Sequence, residues 1–185
     1  LAIIVTHPTY SVDGVMAYHD GQVVGVVNGF EMWQSQFGPL YYSFDLGMWH
    51  FVVGNTYDHP AHPSDNGFVG AEQIRWIEAD VAAAFSRGQR IAAFVHHNPF
   101  DNRWVFVDEG RQALAQALSR GGARYVFAGH RHSDQLELLP TAKIVTTRTV
   151  QAGNDDSEVG YRLVMVEQGR MEITPPVPVR VGVSK

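Results

Sequence analysis

Apolar residues in the middle of the chain recur at two spacings, which together predict two helices and two strands. A helix is predicted over Ala71–Arg87, because apolar side chains recur there every three or four positions. A second helix is predicted to begin at Asp108, a residue type that caps helix N-termini. Short apolar runs at Ile91–Val95 and Tyr125–Ala128 predict buried strands. The order helix, strand, helix, strand predicts parallel strands joined by a right-handed crossover.

The segments on either side carry shorter β-prone runs. Tyr41–Asp45 and Trp49–Val53 predict a hairpin, and one short strand is predicted at Val23–Val27 among loops. Leu1–Val5 predicts a further buried strand. Later strands are predicted at Leu136–Leu139, Lys143–Arg148, Tyr161–Val166 and Met171–Thr174. We expect these last strands to be mostly antiparallel and to pack on the same sheet.

This pattern predicts one α/β domain. With 185 residues, the chain is long enough to enclose one hydrophobic core. We place the domain over residues 1–174 and expect residues 175–185, which contain three prolines, to form a C-terminal tail.

The composition narrows the class of partner. Apolar residues make up 45% of the chain and charged residues 18%, which is typical of a globular protein. The net charge is −5 and no long basic run occurs, so we expect no nucleic-acid partner. No apolar stretch approaches the roughly 20 residues that cross a bilayer, so we expect no membrane partner. No sequence feature specifies an oligomeric state.

The absence of cysteine restricts the chemistry of any metal site. Disulfides and thiolate ligands are excluded, so a metal would need His, Asp, Glu or Asn. The chain has nine histidines, and two groups of them follow consecutive predicted strands: His96-His97, and His130 with His132. Because the carboxyl ends of parallel strands meet at one edge of a sheet, we expect both groups to converge there. The sequence therefore predicts a metal site at this edge.

The same segments carry a resemblance to a known family. Phe94–Phe100 (FVHHNPF) and Phe127–Ser133 (FAGHRHS), with Gly38–Val53 and Gly70–Val81, resemble consecutive segments of calcineurin-like metallophosphoesterases. The likeness is greatest to the purple-acid-phosphatase and cyclic-nucleotide-phosphodiesterase branches. It implies an α-β-β-α sandwich with mixed sheets and metal-dependent hydrolysis of phosphate mono- or diesters. A small-molecule phosphate ester would be the substrate, and two divalent or transition metal ions (Fe, Mn or Zn) the cofactors.

The resemblance also implies roles for individual residues. His96 and His130 resemble two ligands of one metal, and His132 resembles a ligand of the other. His97 follows a ligand position and would face the substrate or support the ligands. Arg131 would either reach a phosphate oxygen or point to solvent.

Other motifs of the family are missing. No Asp-x-His and no Gly-Asp-x-x-Asp precedes the matching segments. Thr6-His7-Pro8 stands roughly where Gly-Asn-His-Asp would be expected, so His7 is a candidate remnant of the catalytic histidine. The chain is therefore predicted to be either the C-terminal half of the domain, with the N-terminal βαβ half absent, or a divergent relative that keeps half of the site.

Three functions remain open on the sequence alone. One is the phosphoesterase itself, with this chain contributing only the histidine half of the site and little activity by itself. The second is a catalytically silent binding module that keeps the scaffold. The third is a different metal-dependent hydrolase with a histidine-only site. Relatives of the resembled branches are often exported, which inclines the expected location toward the periplasm or secretion without fixing it.

Overall fold

The structure is a computed structural model. It describes residues 15–19, 22–27, 34–35, 37–58, 67–101, 108–148 and 159–179. Its two long helices are α1 (Ala71–Ser86) and α2 (Asp108–Arg120). The strands are β1 (Val15–His19), β2 (Gln22–Val27), β3 (Tyr42–Leu46), β4 (Trp49–Val53), β5 (Arg90–Phe94), β6 (Ala123–Ala128), β7 (Gln135–Leu138), β8 (Lys143–Thr146), β9 (Gly160–Tyr161), β10 (Val164–Glu167), β11 (Arg170–Ile173) and β12 (Val177–Pro178).

Six strands form a mixed sheet in the order β3-β4-β5-β6-β8-β7. The four inner strands run parallel to one another, and the two edge strands, β3 and β7, are antiparallel to their neighbours. The predicted helix–strand–helix–strand unit is confirmed, with β5 and β6 parallel and in contact. As a result, β4, β5, β6 and β8 all end at the same edge of the sheet.

Both helices pack on one face of this sheet. The apolar side of each helix packs against alternate residues of the inner strands. The helical spacing of the apolar residues in the two helices predicts this packing. The buried helix residues of this layer are Ile74, Ile77, Val81, Ala84, Leu114, Ala117 and Leu118. Neither helix is long and apolar enough to cross a membrane.

The opposite face of the sheet is largely aromatic. Phe51, Phe94 and Phe127 stack in sequence across three neighbouring strands, with ring centroids 6.0 and 4.7 Å apart. The β10–β11 hairpin covers this face through Met171 and the partly buried Val164. The layers are therefore helices, central sheet and a second small sheet. This arrangement confirms the predicted mixed α/β class.

Several sequence expectations need correction. The single strand predicted at Val23–Val27 is the second half of a hairpin, because β1 pairs antiparallel with β2. The strand predicted over Tyr161–Val166 is divided between β9 and β10. These strands belong to two separate two-stranded sheets, in which β10 pairs with β11 and β9 pairs with β12. Within the tail predicted over residues 175–185, Val177–Pro178 forms β12, which pairs with β9; the tail assignment itself stays a prediction. The predicted strand Leu1–Val5 lies outside the described residues.

A polar network lies at the edge opposite the strand ends. The buried ring of His50 bonds Asp45 at Nδ1 (2.6 Å) and Asp80 at Nε2 (2.8 Å), which links β3, β4 and α1. The hydrogen bond from His50, and a second from Gln89, hold the pKa of Asp45 below its ordinary value of 3.8. The ionised carboxylate is therefore favoured in the folded state, although half of the side chain is exposed and solvent screens the effect.

This network has a consequence for acid stability. A carboxylate whose pKa is lowered by folding adds stability above its unfolded value, and this is lost as pH falls through the folded pKa. We therefore expect the urea midpoint of the wild type to fall between pH 5 and pH 2 by more than that of an Asp45→Asn variant. Parallel pH profiles for the two proteins would contradict this assignment.

Candidate metal centre

The first histidine loop follows β5 directly. His96 and His97 come two and three residues after the strand ends, and Asn98 then organises the turn. The Oδ1 atom of Asn98 accepts a hydrogen bond from the backbone N–H of Phe100 (3.0 Å), and the backbone N–H of Asp101 donates to the Asn98 carbonyl (3.3 Å). This side-chain turn closes the loop locally, as Asn does in many turns. His96 and His97 are thereby held at the carboxyl edge of the sheet.

The second histidine loop follows β6, and its backbone is strained. The N–H of Arg131 donates to the carbonyl of Gly129 (2.7 Å), and His130 between them has φ +64°. A γ-turn with positive φ at its centre is rare and strained for a residue with a Cβ atom. His132 also has positive φ, at +48°. Such conformations persist only where surrounding contacts impose them, and they cluster at functional sites.

The two loops bring three imidazoles together. His96, His97 and His130 each offer a ring nitrogen, and these three nitrogens lie within 4.8 Å of one another. The closest approach is 3.3 Å, between Nε2 of His96 and Nδ1 of His130. Two nitrogens bound to one tetrahedral cation at about 2.0–2.1 Å lie roughly 3.3–3.4 Å apart. The observed separation matches a pair of ligands to one ion, and it is also the distance of a hydrogen bond between the two rings.

His97 is the deepest member of the group. Its side chain is fully buried, and its Nδ1 atom is hydrogen-bonded to Oγ1 of Thr56 at 2.8 Å. The same oxygen accepts from the backbone N–H of His97 (3.2 Å). The ring of Tyr57 packs edge-on against His97, with centroids 4.6 Å apart. A Cβ atom added to Gly67 would lie 2.7 Å from His97 Cγ, so the backbone approaches the ring as closely as glycine allows.

The other sequence candidates are placed differently. His132 is exposed and does not belong to the group of three. The Nη2 atom of Arg131 donates to Oδ2 of Asp101 at 2.7 Å, so the guanidinium contacts a carboxylate of the first histidine loop. His7 lies outside the described residues. The side chain of His97 is fully buried, and the substrate and ligand roles of all these residues stay predictions.

Sequence reasoning gave no role to the supporting residues that directly follow β4. That strand was predicted only as half of an antiparallel hairpin, yet it also runs parallel to β5 and ends at the same edge. Thr56 and Tyr57, which follow it, therefore contact the histidines. Asn55 is also there, buried, and its side-chain Nδ2 has no hydrogen-bond partner among the residues that the structure describes. A buried unpaired donor of this kind is where a ligand or ordered water is expected.

The donor set fits a transition metal. Neutral imidazoles suit Zn, Cu, Fe and Ni. In the part of the chain that the structure describes, the group holds three histidines and no carboxylate. The site therefore offers nitrogen ligands for one ion, while the carboxylate side of a two-ion centre has no counterpart among these described ligands.

Comparisons with known proteins support the fold. No family model matches the chain, and no curated protein matches it. Among solved structures it is similar to a dimetal phosphatase from Danio rerio, with a TM-score of 0.64, 14% identity, and coverage of 79% of this chain and 64% of that one. It also matches TT1561 of Thermus thermophilus (TM-score 0.41, 14% identity, 72% and 56% coverage). A third match is a Staphylococcus aureus protein assigned as a 5′-nucleotidase (TM-score 0.44, 12% identity, 78% and 30% coverage).

The two lower scores do not establish a shared fold, so the likeness rests on the first structure. This chain spans just under two thirds of the length of that phosphatase. At 14% identity the match speaks for architecture alone. The chain therefore has a mixed α/β fold similar to that of the dimetal phosphatase.

Proposed function

We propose that this chain carries the histidine side of a two-metal centre that hydrolyses phosphate esters. The observation that carries the proposal is the 3.3 Å approach of His96 Nε2 and His130 Nδ1 at the carboxyl edge of the sheet. The fold likeness to a dimetal phosphatase supports it. His96 and His130 would hold one ion, with His97 beside them, and His132 would reach toward a second.

The chain's own residues would bind, orient and exclude water. The Oγ1 atom of Thr56 is hydrogen-bonded to the ring of His97 and accepts a second bond from its backbone N–H, which holds this histidine in place. The exposed His132 leaves the opposite side of the loop open to a phosphate ester. When bound, the two ions would supply Lewis-acid chemistry, activating water and neutralising charge on the phosphate oxygens. The C-terminal-half assignment and the purple-acid-phosphatase or phosphodiesterase branch belong to this proposal.

The alternative is a catalytically silent module on the same scaffold. It is favoured by one observation, the absence of a carboxylate from the histidine group among the described residues. Carboxylates complete the oxygen-ligand side of most such centres. For that reason we expect this chain alone to bind a metal ion but to turn over substrate poorly.

The proposal is tested by phosphate binding and turnover in the presence of Mn²⁺. We expect the wild type to bind inorganic phosphate only when Mn²⁺ is present, and to hydrolyse bis(4-nitrophenyl) phosphate at a rate close to background. A His130→Ala/His132→Ala variant should lose the phosphate binding. Robust turnover that this variant loses would show that the chain holds a complete centre. Failure of the wild type to bind either Mn²⁺ or phosphate would favour the silent module.

A further inference from the structure

The ion pair between Arg131 and Asp101 joins the two histidine loops. Arg131 stands between His130 and His132 in the second loop, and Asp101 closes the first loop. The Nη2–Oδ2 distance is 2.7 Å, and the side chains are only 22% and 7% exposed. We propose that this pair is a brace that sets the separation of His96 and His130, which makes Arg131 and Asp101 positioning residues. The inference rests on the proposed metal site.

The strained backbone of the second loop needs contacts that hold it in place. His130 occupies a strained γ-turn, and such a backbone relaxes unless contacts from elsewhere hold it. One backbone contact crosses between the loops, from the N–H of Gly129 to the carbonyl of His96 at 2.9 Å. The Arg131–Asp101 pair is a second contact between the loops, made by side chains. Gly129 directly precedes His130 in the chain, and Arg131 directly follows it. Together they fix both ends of the segment that carries His130.

The chemistry of the pair suits a positioning role. A mostly buried carboxylate is costly unless a cation compensates its charge, and Arg131 is a cation in contact with Asp101. This bond is made by Nη2, one of several N–H donors of the guanidinium, so the role does not depend on whether the other donors bind a phosphate oxygen. Charge-assisted bonds to guanidinium are among the stronger ones in proteins and have a fixed planar geometry. The pair therefore acts through the histidines and does not require contact with substrate.

The test compares full-length variants that keep the buried site neutral. Arg131→Gln/Asp101→Asn removes the charges from both partners, so neither is left buried and unpaired. We expect its affinity for Mn²⁺, measured by isothermal titration calorimetry, to fall about 10–100-fold, as for other residues that orient metal ligands. In metal-free protein, we expect exchange of the Gly129 amide hydrogen to accelerate about tenfold or more, because its acceptor lies on the other loop. Arg131→Lys retains the cation but not the planar guanidinium, so both losses should be smaller than in the double variant.

A control separates positioning from general stability. Asp80→Asn weakens the His50 network at the opposite edge of the sheet. It should lower the melting temperature yet leave Mn²⁺ affinity and Gly129 exchange unchanged. If the double variant keeps wild-type Gly129 exchange, the brace is refuted whether or not metal binds. If exchange accelerates while the wild type binds no Mn²⁺, the proposed metal function fails and the brace between the loops stands.

Discussion

Replacing His130 with alanine is expected to lower the affinity of the protein for Zn²⁺ or Mn²⁺ by more than about 100-fold. Changes to residues that merely support metal ligands cost about 10–100-fold, so removal of a ligand should cost more. His130 contributes the ring nitrogen nearest to another histidine of the group, 3.3 Å from His96 Nε2. Without it, His96 loses the imidazole that lies at a ligand-pair distance from its Nε2 atom. Equilibrium dialysis or calorimetric titration measures the change directly.

The exposed His132 provides the matched control for this variant. It lies in the same loop, two residues from His130, but outside the group of three. His132→Ala should therefore leave the tightest metal-binding step nearly unchanged and affect only a weaker second step. Equal losses in the two variants would contradict the division of the histidines between two ions. Wild-type affinity in His130→Ala would contradict the metal site itself.

A Gly67→Ala variant is expected to lose about 1–3 kcal/mol of unfolding free energy, the usual cost of overfilling a packed interior. The added Cβ would lie 2.7 Å from Cγ and 2.9 Å from Nδ1 of His97. The ring cannot move away from the added atom, because it is fully buried and hydrogen-bonded to Thr56. Glycine-to-alanine changes at unstrained positions usually stabilise a protein by about 0.4–1 kcal/mol, so a loss would identify the steric contact. Urea denaturation of wild type and variant measures it.

Gly129→Ala is the comparison for this prediction. There the added Cβ would meet Nδ1 of His96 at 3.2 Å, a milder contact against a ring that is only partly buried. We expect the destabilisation of Gly129→Ala to be smaller than that of Gly67→Ala. If Gly67→Ala matches the wild type in its urea midpoint, the packing described around His97 is wrong.

Much of the central fold could be predicted because its signals are local. The helix predicted over Ala71–Arg87 is observed over Ala71–Ser86, since the spacing of its apolar residues depends only on helix geometry. The approach of His96 to His130 also follows from a local rule. Both residues stand just after buried strands joined through one helix, and that order brings the two strand ends to the same edge of a sheet.

The remainder depends on contacts between residues distant in sequence. Nothing in the hairpin pattern of Trp49–Val53 indicates that its other side pairs with β5, which is what brings Thr56 to His97. A histidine in a polar loop gives no sign that it is fully buried. The partner of Arg131 could not be read from the residues beside it, because Asp101 is thirty positions away. The strand near residue 161 is divided because β9 pairs with β12. The spacing of apolar residues in the sequence does not indicate this pairing.

Nitrogen NMR of the histidine rings can identify the atoms that bind a metal ion. In ¹⁵N-labelled protein, stoichiometric Zn²⁺ should shift the resonances of His96 Nε2 and His130 Nδ1 together, since those two atoms lie at a ligand-pair distance. The ring nitrogens of His50, which bond carboxylates at the opposite edge, should keep their positions. Unchanged resonances at both His96 and His130 under saturating Zn²⁺ would show that the two strand ends do not share a cation.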